Sequence, residues 1–128
     1  RTNVKMEEKV CVQVLSGRDL IAADKDGTSD PFATAELINA TTGEPVKKSK
    51  KLKTKSVKNT LEPVWKDGEI TWTDIKNELS NVSLRVTVSD ADTLSSQCLG
   101  VITLPLTQFM NAASDVVDWY NLELNGKM

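Results

Sequence analysis

The sequence predicts an all-β domain, a sandwich or barrel of short strands, on three observations. Apolar and polar residues alternate at period two in several stretches, most clearly KVCVQVL at 9–15 and VSLRVTVS at 82–89, the pattern of half-buried strands. Turn formers punctuate those stretches: Asp26-Gly27, Gly43-Glu44-Pro45 and Asp67-Gly68. Helical periodicity is nearly absent, and only LTQFMNAAS at 106–114 could hold a short helix. Many short strands with such turns pack as two sheets or close into a barrel. A chain of 128 residues, 39% hydrophobic and 27% charged, suits one domain, residues 1–128, with a core of its own. Its first residue, Arg1, points to a domain excised from a longer protein.

The elements follow in order. TNVKM at 2–6 is a candidate first strand. In 9–15, Val10, Val12 and Val14 share a face. Further candidate strands are FATAELI at 32–38, KLKTKSV at 51–57, EITWT at 69–73, CLGVITL at 98–104 and WYNLEL at 119–124. In 82–89, Val82, Leu84, Val86 and Val88 turn to the core, and Ser83, Arg85 and Thr87 turn to water. Trp65, Trp72 and Trp119 fit the apolar phase of strands or their edges, which argues packing at the core or rim rather than ligand stacking. Cys11 and Cys98 form no CxxC pair and lie in apolar stretches, so they read as buried free thiols in a reducing compartment.

Composition excludes several functions. Histidine is absent, which removes the commonest general base and zinc ligand. Neither GxSxG nor a glycine-rich phosphate loop occurs, so an enzyme is not expected. No apolar run approaches a membrane span, which needs about 18 residues or more. The net charge of −2 conceals a polarised chain. Residues 47–58, KKSKKLKTKSVK, hold seven lysines and no acid, and the remainder carries a surplus of nine acids. Such separation speaks to partners rather than to fold. Nucleic acid is a poor candidate, because no aromatic residue interleaves with the lysines and the rest of the surface is acidic.

Two acidic loops mark a candidate cation site. DKDGTSDPF at 24–32 crowds Asp24, Asp26 and Asp30 into one turn. SDADTLSSQCLG at 89–100 places Asp90 and Asp92 at alternating positions, hence on one side of the strand end. Loops cluster at the two ends of a sandwich, so the two acidic loops can converge. An oxygen-rich, histidine-free cluster suits calcium, which accepts six to eight oxygens in irregular geometry. An EF-hand starting at Asp24 is excluded, since its sixth and twelfth positions would be Ser29 and Ala35.

Taken together, KVCVQVLSGRDL, AADKDGTSDPF, KLKTKSVKNTLEPVW, LRVTVSDAD, CLG and WYNLEL resemble a C2 domain across roughly 9–124. The resemblance implies an eight-stranded antiparallel Greek-key β-sandwich with calcium- and phospholipid-binding loops at one end. It places Asp24, Asp30, Asp90 and Asp92 on the family's calcium-ligating aspartates, and Ala23 and Ala91 on positions that ligate through backbone carbonyls. Asp26 falls on a variable position and reads as a turn former before Gly27. The family's fifth aspartate is replaced by Gln97, three residues before Gly100. Gln97 can offer a carbonyl oxygen, and Ser95 or Ser96 a hydroxyl. One carboxylate fewer weakens one subsite, so one or two calcium ions are expected. The alternative is a solvated acidic rim with no ion.

Lys51, Lys53 and Lys55 alternate and so share a face. Attraction to an anionic bilayer gains about 1 kcal/mol per lysine, and edge-strand lysines also deter edge pairing. In some family members this strand binds phosphoinositide, and Lys53 and Lys55 match those lysines. The adjacent strand carries Thr34 and Glu36 where further lysines are usual, leaving that site half present. Leu94 lies at the tip of the second acidic loop, where it can insert into a membrane or cap the core. The expected function is calcium-dependent binding of anionic phospholipid at the cytoplasmic face of a membrane, with a calcium-independent phosphoinositide or acidic-protein interaction as the alternative.

Overall fold

A computed structural model describes residues 9–21, 27, 29–73, 75, 78–91, 96–109 and 116–124. Among the described residues six strands form two antiparallel sheets: β1 (Lys9–Gln13), β2 (Pro31–Asn39), β3 (Leu52–Lys53), β4 (Glu69–Thr73), β5 (Val82–Ala91) and β6 (Ser96–Pro105). β1 pairs with β4, and the larger sheet runs β3-β2-β5-β6. Two single 3₁₀ turns, Leu79–Asn81 and Leu106–Phe109, precede β5 and follow β6. The candidate strand at 2–6 lies outside the described residues, as do positions 110–114 of the candidate helix.

Alternation assigns the faces. In β4, Ile70 and Trp72 are buried while Glu69 and Thr73 are exposed. They pack with Val10 and Val12 of β1 against Ala35 and Leu37 of β2, Leu52 of β3 and Val82 and Leu84 of β5. This apolar layer joins the two sheets, as in any sandwich whose inner faces interdigitate. A second cluster of Ala33, Trp65, Val88 and Leu99 sits toward the end of the sheet where β2 begins. The Trp65 indole N–H donates to the Pro31 carbonyl at 3.2 Å, and that of Trp72 to the Lys50 carbonyl at 2.7 Å, so each buried indole keeps its polar atom satisfied.

Several details differ from the sequence expectation. β3 pairs over only two residues rather than along 51–57. Its continuation still follows β2, with Thr54 N–H on the Ala33 carbonyl and Val57 N–H on that of Pro31. That is three residues along the edge against two along β2, a bulge that breaks regular pairing. Among the described residues the stretch 119–124 contributes isolated bridge residues, Glu123 paired to Val101 and Leu124 beside it, rather than a strand. Both cysteines are exposed, not buried. Cys11 alternates with the inward valines of β1 and so must face out. Cys98 pairs with Ser89 just past the bulge between Val88 and Ser89, which spends Leu99 on the core and turns Cys98 outward. Ser83, expected to face water, is buried opposite Ile38, itself buried.

Gly100 has a packing reason. A Cβ there would lie 2.6 Å from Leu122 Cβ, so only glycine lets the C-terminal segment approach β6 this closely.

Candidate functional site

The acidic end is built on the central strand pair. β2 and β5 stay in register over nine residue pairs, ending at Pro31 opposite Asp90. On the other side of β5, Asp90 faces Gln97 and Ala91 faces Ser96. The topology therefore brings Asp30, Asp90, Ala91 and Gln97 to one end of the sheet. Ala23, Asp24, Asp26, Asp92, Leu94 and Ser95 lie outside the described residues.

Hydrogen bonds lock the described part. Asp30 N–H donates to Asp90 Oδ1 at 2.6 Å, and Ala91 N–H donates to the Asp30 carbonyl at 3.0 Å. Asp30 Oδ1 accepts the Asn59 N–H at 2.8 Å, tying in the segment after the lysine edge. Asn59 takes a left-handed φ of 54°, a conformation that asparagine tolerates better than most residues. Buried Ser29 braces the loop base by donating its hydroxyl to the Ile21 carbonyl at 2.8 Å.

Asp90 is only 4% exposed because it continues the inward phase of Val86 and Val88. A carboxylate there is costly unless charge-assisted bonds or a cation compensate. Asp30 and Asp90 each accept a main-chain N–H through Oδ1, and among the described residues no donor occupies either Oδ2. Two such oxygens, with the carbonyl of Gln97 nearby in register, are hard donors of the kind calcium takes. The donor chemistry fits the ion; among the described residues no three acidic, histidine or cysteine groups converge.

The basic face is on the outside of the larger sheet. Lys51, Lys53 and Lys55 are exposed, while Leu52 and Thr54 between them are buried. The Thr54 hydroxyl oxygen accepts the Ala33 N–H at 2.9 Å and anchors the edge inward. Lys53 Nζ lies 5.0 Å from the centroid of the Phe32 ring, a cation–π contact. Thr34 stands opposite Lys53, and Glu36 opposite Arg85. Glu36 bonds Lys51 Nζ at 3.4 Å and Arg85 Nη2 at 3.1 Å. The face thus holds a fourth cation, Arg85, that lies outside the lysine run. Its outward phase on β5 and the acid opposite it are the sequence signals that point to it. Lys51 and Arg85 are both partly neutralised by Glu36.

The described residues form an antiparallel sandwich with Asp30 and Asp90 at one end of the larger sheet and a basic outer face. The chain belongs to the C2 domain family, whose model matches residues 8–122. It is 32% identical over 115 residues to a probable serine/threonine-protein kinase of Dictyostelium discoideum, covering 89% of this chain and 10% of the relative. It is 34% identical over 104 residues to a calcium-dependent lipid-binding protein of Arabidopsis thaliana, covering 81% of this chain and 18% of that protein. The chain thus spans a fifth or less of the length of these relatives. The crystal structure of a C2 domain of RIM from Drosophila matches the fold with a TM-score of 0.72 at 23% identity, covering 90% of this chain and 86% of that domain. Among the described residues no helix is long and apolar enough to cross a membrane.

Proposed function

We propose that this domain is a calcium-dependent phospholipid-binding module that targets its host to the cytoplasmic face of a membrane as a peripheral component. The observation that carries the reading is the Asp30–Asp90 pairing, which seats two carboxylates from different loops at one sheet end, with Oδ2 of each meeting no donor among the described residues. Asp24, Asp92 and the carbonyls of Ala23 and Ala91 would complete the calcium shell, with Ser95 and Gln97 as neutral donors. The ion would supply the positive charge that lets the acidic end meet anionic lipid phosphate. Leu94 would add apolar contact, and Lys53 and Lys55 would add attraction to anionic lipid, including phosphoinositide. The Arabidopsis relative, named for calcium-dependent lipid binding, supports this assignment. The reading assigns the domain a binding role and no catalytic one.

A second reading rests on Gln97, an exposed neutral residue opposite Asp90 where the family carries an acid. In it the lysine face binds phosphoinositide or an acidic protein without calcium.

Co-sedimentation with phosphatidylserine vesicles in calcium and in chelator, at fixed salt, separates the two. Pelleting in calcium alone, lost in Asp30→Asn with Asp90→Asn, is the expected result. Equal pelleting in both conditions assigns the work to the lysine face.

A further inference from the structure

The lysine run contains three hydroxyl residues, and the fold treats them differently. Ser49 is half-buried and donates its hydroxyl to the Val46 carbonyl at 2.6 Å. Thr54 is buried, 3% exposed, with its oxygen held by the Ala33 N–H. Ser56 is exposed, and no hydrogen bond holds its hydroxyl among the described residues. Strict alternation from buried Thr54 would turn Ser56 inward. The extra residue between the Thr54 and Val57 hydrogen bonds instead bulges it out of the sheet edge, while Val57 returns to the core cluster around Trp65. Ser56 therefore sits on an edge segment outside any strand, flanked by exposed Lys53, Lys55 and Lys58.

We propose that Ser56 is a phosphorylation site for a basophilic serine/threonine kinase, and that its phosphate weakens the basic face. Kinases discriminate substrates by charge pattern, and cations three residues before, one before and two after the hydroxyl complement an acidic substrate groove. In the transfer the Ser56 Oγ attacks the γ-phosphorus of ATP. The Oγ–P bond forms, the bond from that phosphorus to the β–γ bridging oxygen breaks, ADP leaves, and the hydroxyl proton passes to the kinase's catalytic carboxylate. The product carries about −1.5 to −2 charge with three acceptor oxygens within a run of seven lysines. Lys55 and Lys58, the nearest cations in sequence, can turn to it rather than to lipid. This consequence rests on the proposed membrane role; the modification itself does not.

The test is phosphorylation of the folded domain by a purified basophilic kinase with ATP, an acidophilic kinase serving as control, and mass-spectrometric mapping of the phosphate. Expected is one phosphate at Ser56 with the basophilic kinase only, abolished in Ser56→Ala, whose melting temperature is unchanged because the exposed hydroxyl makes no hydrogen bond among the described residues. Phosphate confined to Ser49 or Thr54, or modification only after heat unfolding, overturns the assignment. Phosphorylated domain and Ser56→Glu are then compared with the unmodified domain on phosphatidylserine vesicles. Roughly tenfold to thirtyfold weaker binding is expected for the phosphorylated form from the loss of two charges' attraction. Unchanged binding overturns the regulatory half of the proposal. Failure of the unmodified domain to bind these vesicles defeats the membrane reading and leaves the mapped phosphate standing.

Discussion

The main-chain N–H of Asp30 donates to Oδ1 of Asp90 at 2.6 Å, so the residue at the foot of one acidic loop is fixed by the residue at the foot of the other. The bond makes Asp90 structural as well as acidic, and two substitutions separate the roles. Asp90→Ala leaves the part-buried Asp30 N–H without its acceptor and should cost about 1–3 kcal/mol in denaturant unfolding in chelator. Asp90→Asn keeps a carbonyl oxygen and should cost less. On the proposed calcium role, the ion would stabilise the domain by mass action, about 2.7 kcal/mol at a hundredfold excess over Kd, and both variants should lose that gain in thermal melts. A full calcium gain in Asp90→Asn would remove Asp90 from the ion's shell.

Gly100→Ala should destabilise the domain by about 1–3 kcal/mol, the usual range for overpacking. The added methyl meets Leu122 Cβ at 2.6 Å, an atom on the main-chain root rather than a flexible end. Leu122→Ala retains that atom, so it should not rescue the variant, whereas Leu122→Gly should recover part of the loss. Chemical unfolding of the three variants decides the matter.

Glu36 restrains two cations of the outer face, Lys51 and Arg85. Its neutralisation in Glu36→Gln should tighten binding to phosphatidylserine vesicles by about fivefold for each cation released, at about 1 kcal/mol apiece. Unfolding stability should fall by no more than about 1 kcal/mol, because Lys51 is largely solvated. Weaker vesicle binding by this variant would show that Lys51 and Arg85 contact no lipid.

Cys11 and Cys98 are exposed in the folded state. Both should therefore react with a water-soluble disulfide reagent under native conditions, without a slow phase limited by unfolding. Mapping the adducts after brief exposure checks each thiol separately.

Strands are most legible in the sequence where alternation and a turn coincide. EITWT after Asp67-Gly68 predicts a strand at 69–73, and β4 has those bounds. The lysine edge is shorter than its alternation, which continues through Lys55, because the bulge that ends regular pairing depends on contacts with Pro31 and Ala33 across the sheet. For Cys11, apolar character argues burial, but phase prevails, since the inward valines on either side assign it outward. At the acidic end, the convergence of Asp30 and Asp90 follows from strands that end together. The donation from the Asp30 main chain does not, since a side-chain pattern carries no record of which amide faces which carboxylate. In sequence Glu36 stands only where a lysine is usual, and its partner Arg85 lies 49 residues away until the β2–β5 register places them opposite.

The C-terminal segment has a mechanical consequence. Its pairing to β6 is a single bridge of two 2.8 Å hydrogen bonds between Val101 and Glu123, supported by Leu122 over Gly100 and by Arg18 lying 4.0 Å above the Trp119 ring. β2 and β5 share nine residue pairs that load together under tension. A pull transmitted through the C-terminal end loads the Val101–Glu123 bridge, which among the described residues is the segment's one pairing to β6, a latch rather than a ladder. The segment should peel at low force while the sheet stays whole, making this edge the domain's tear strip.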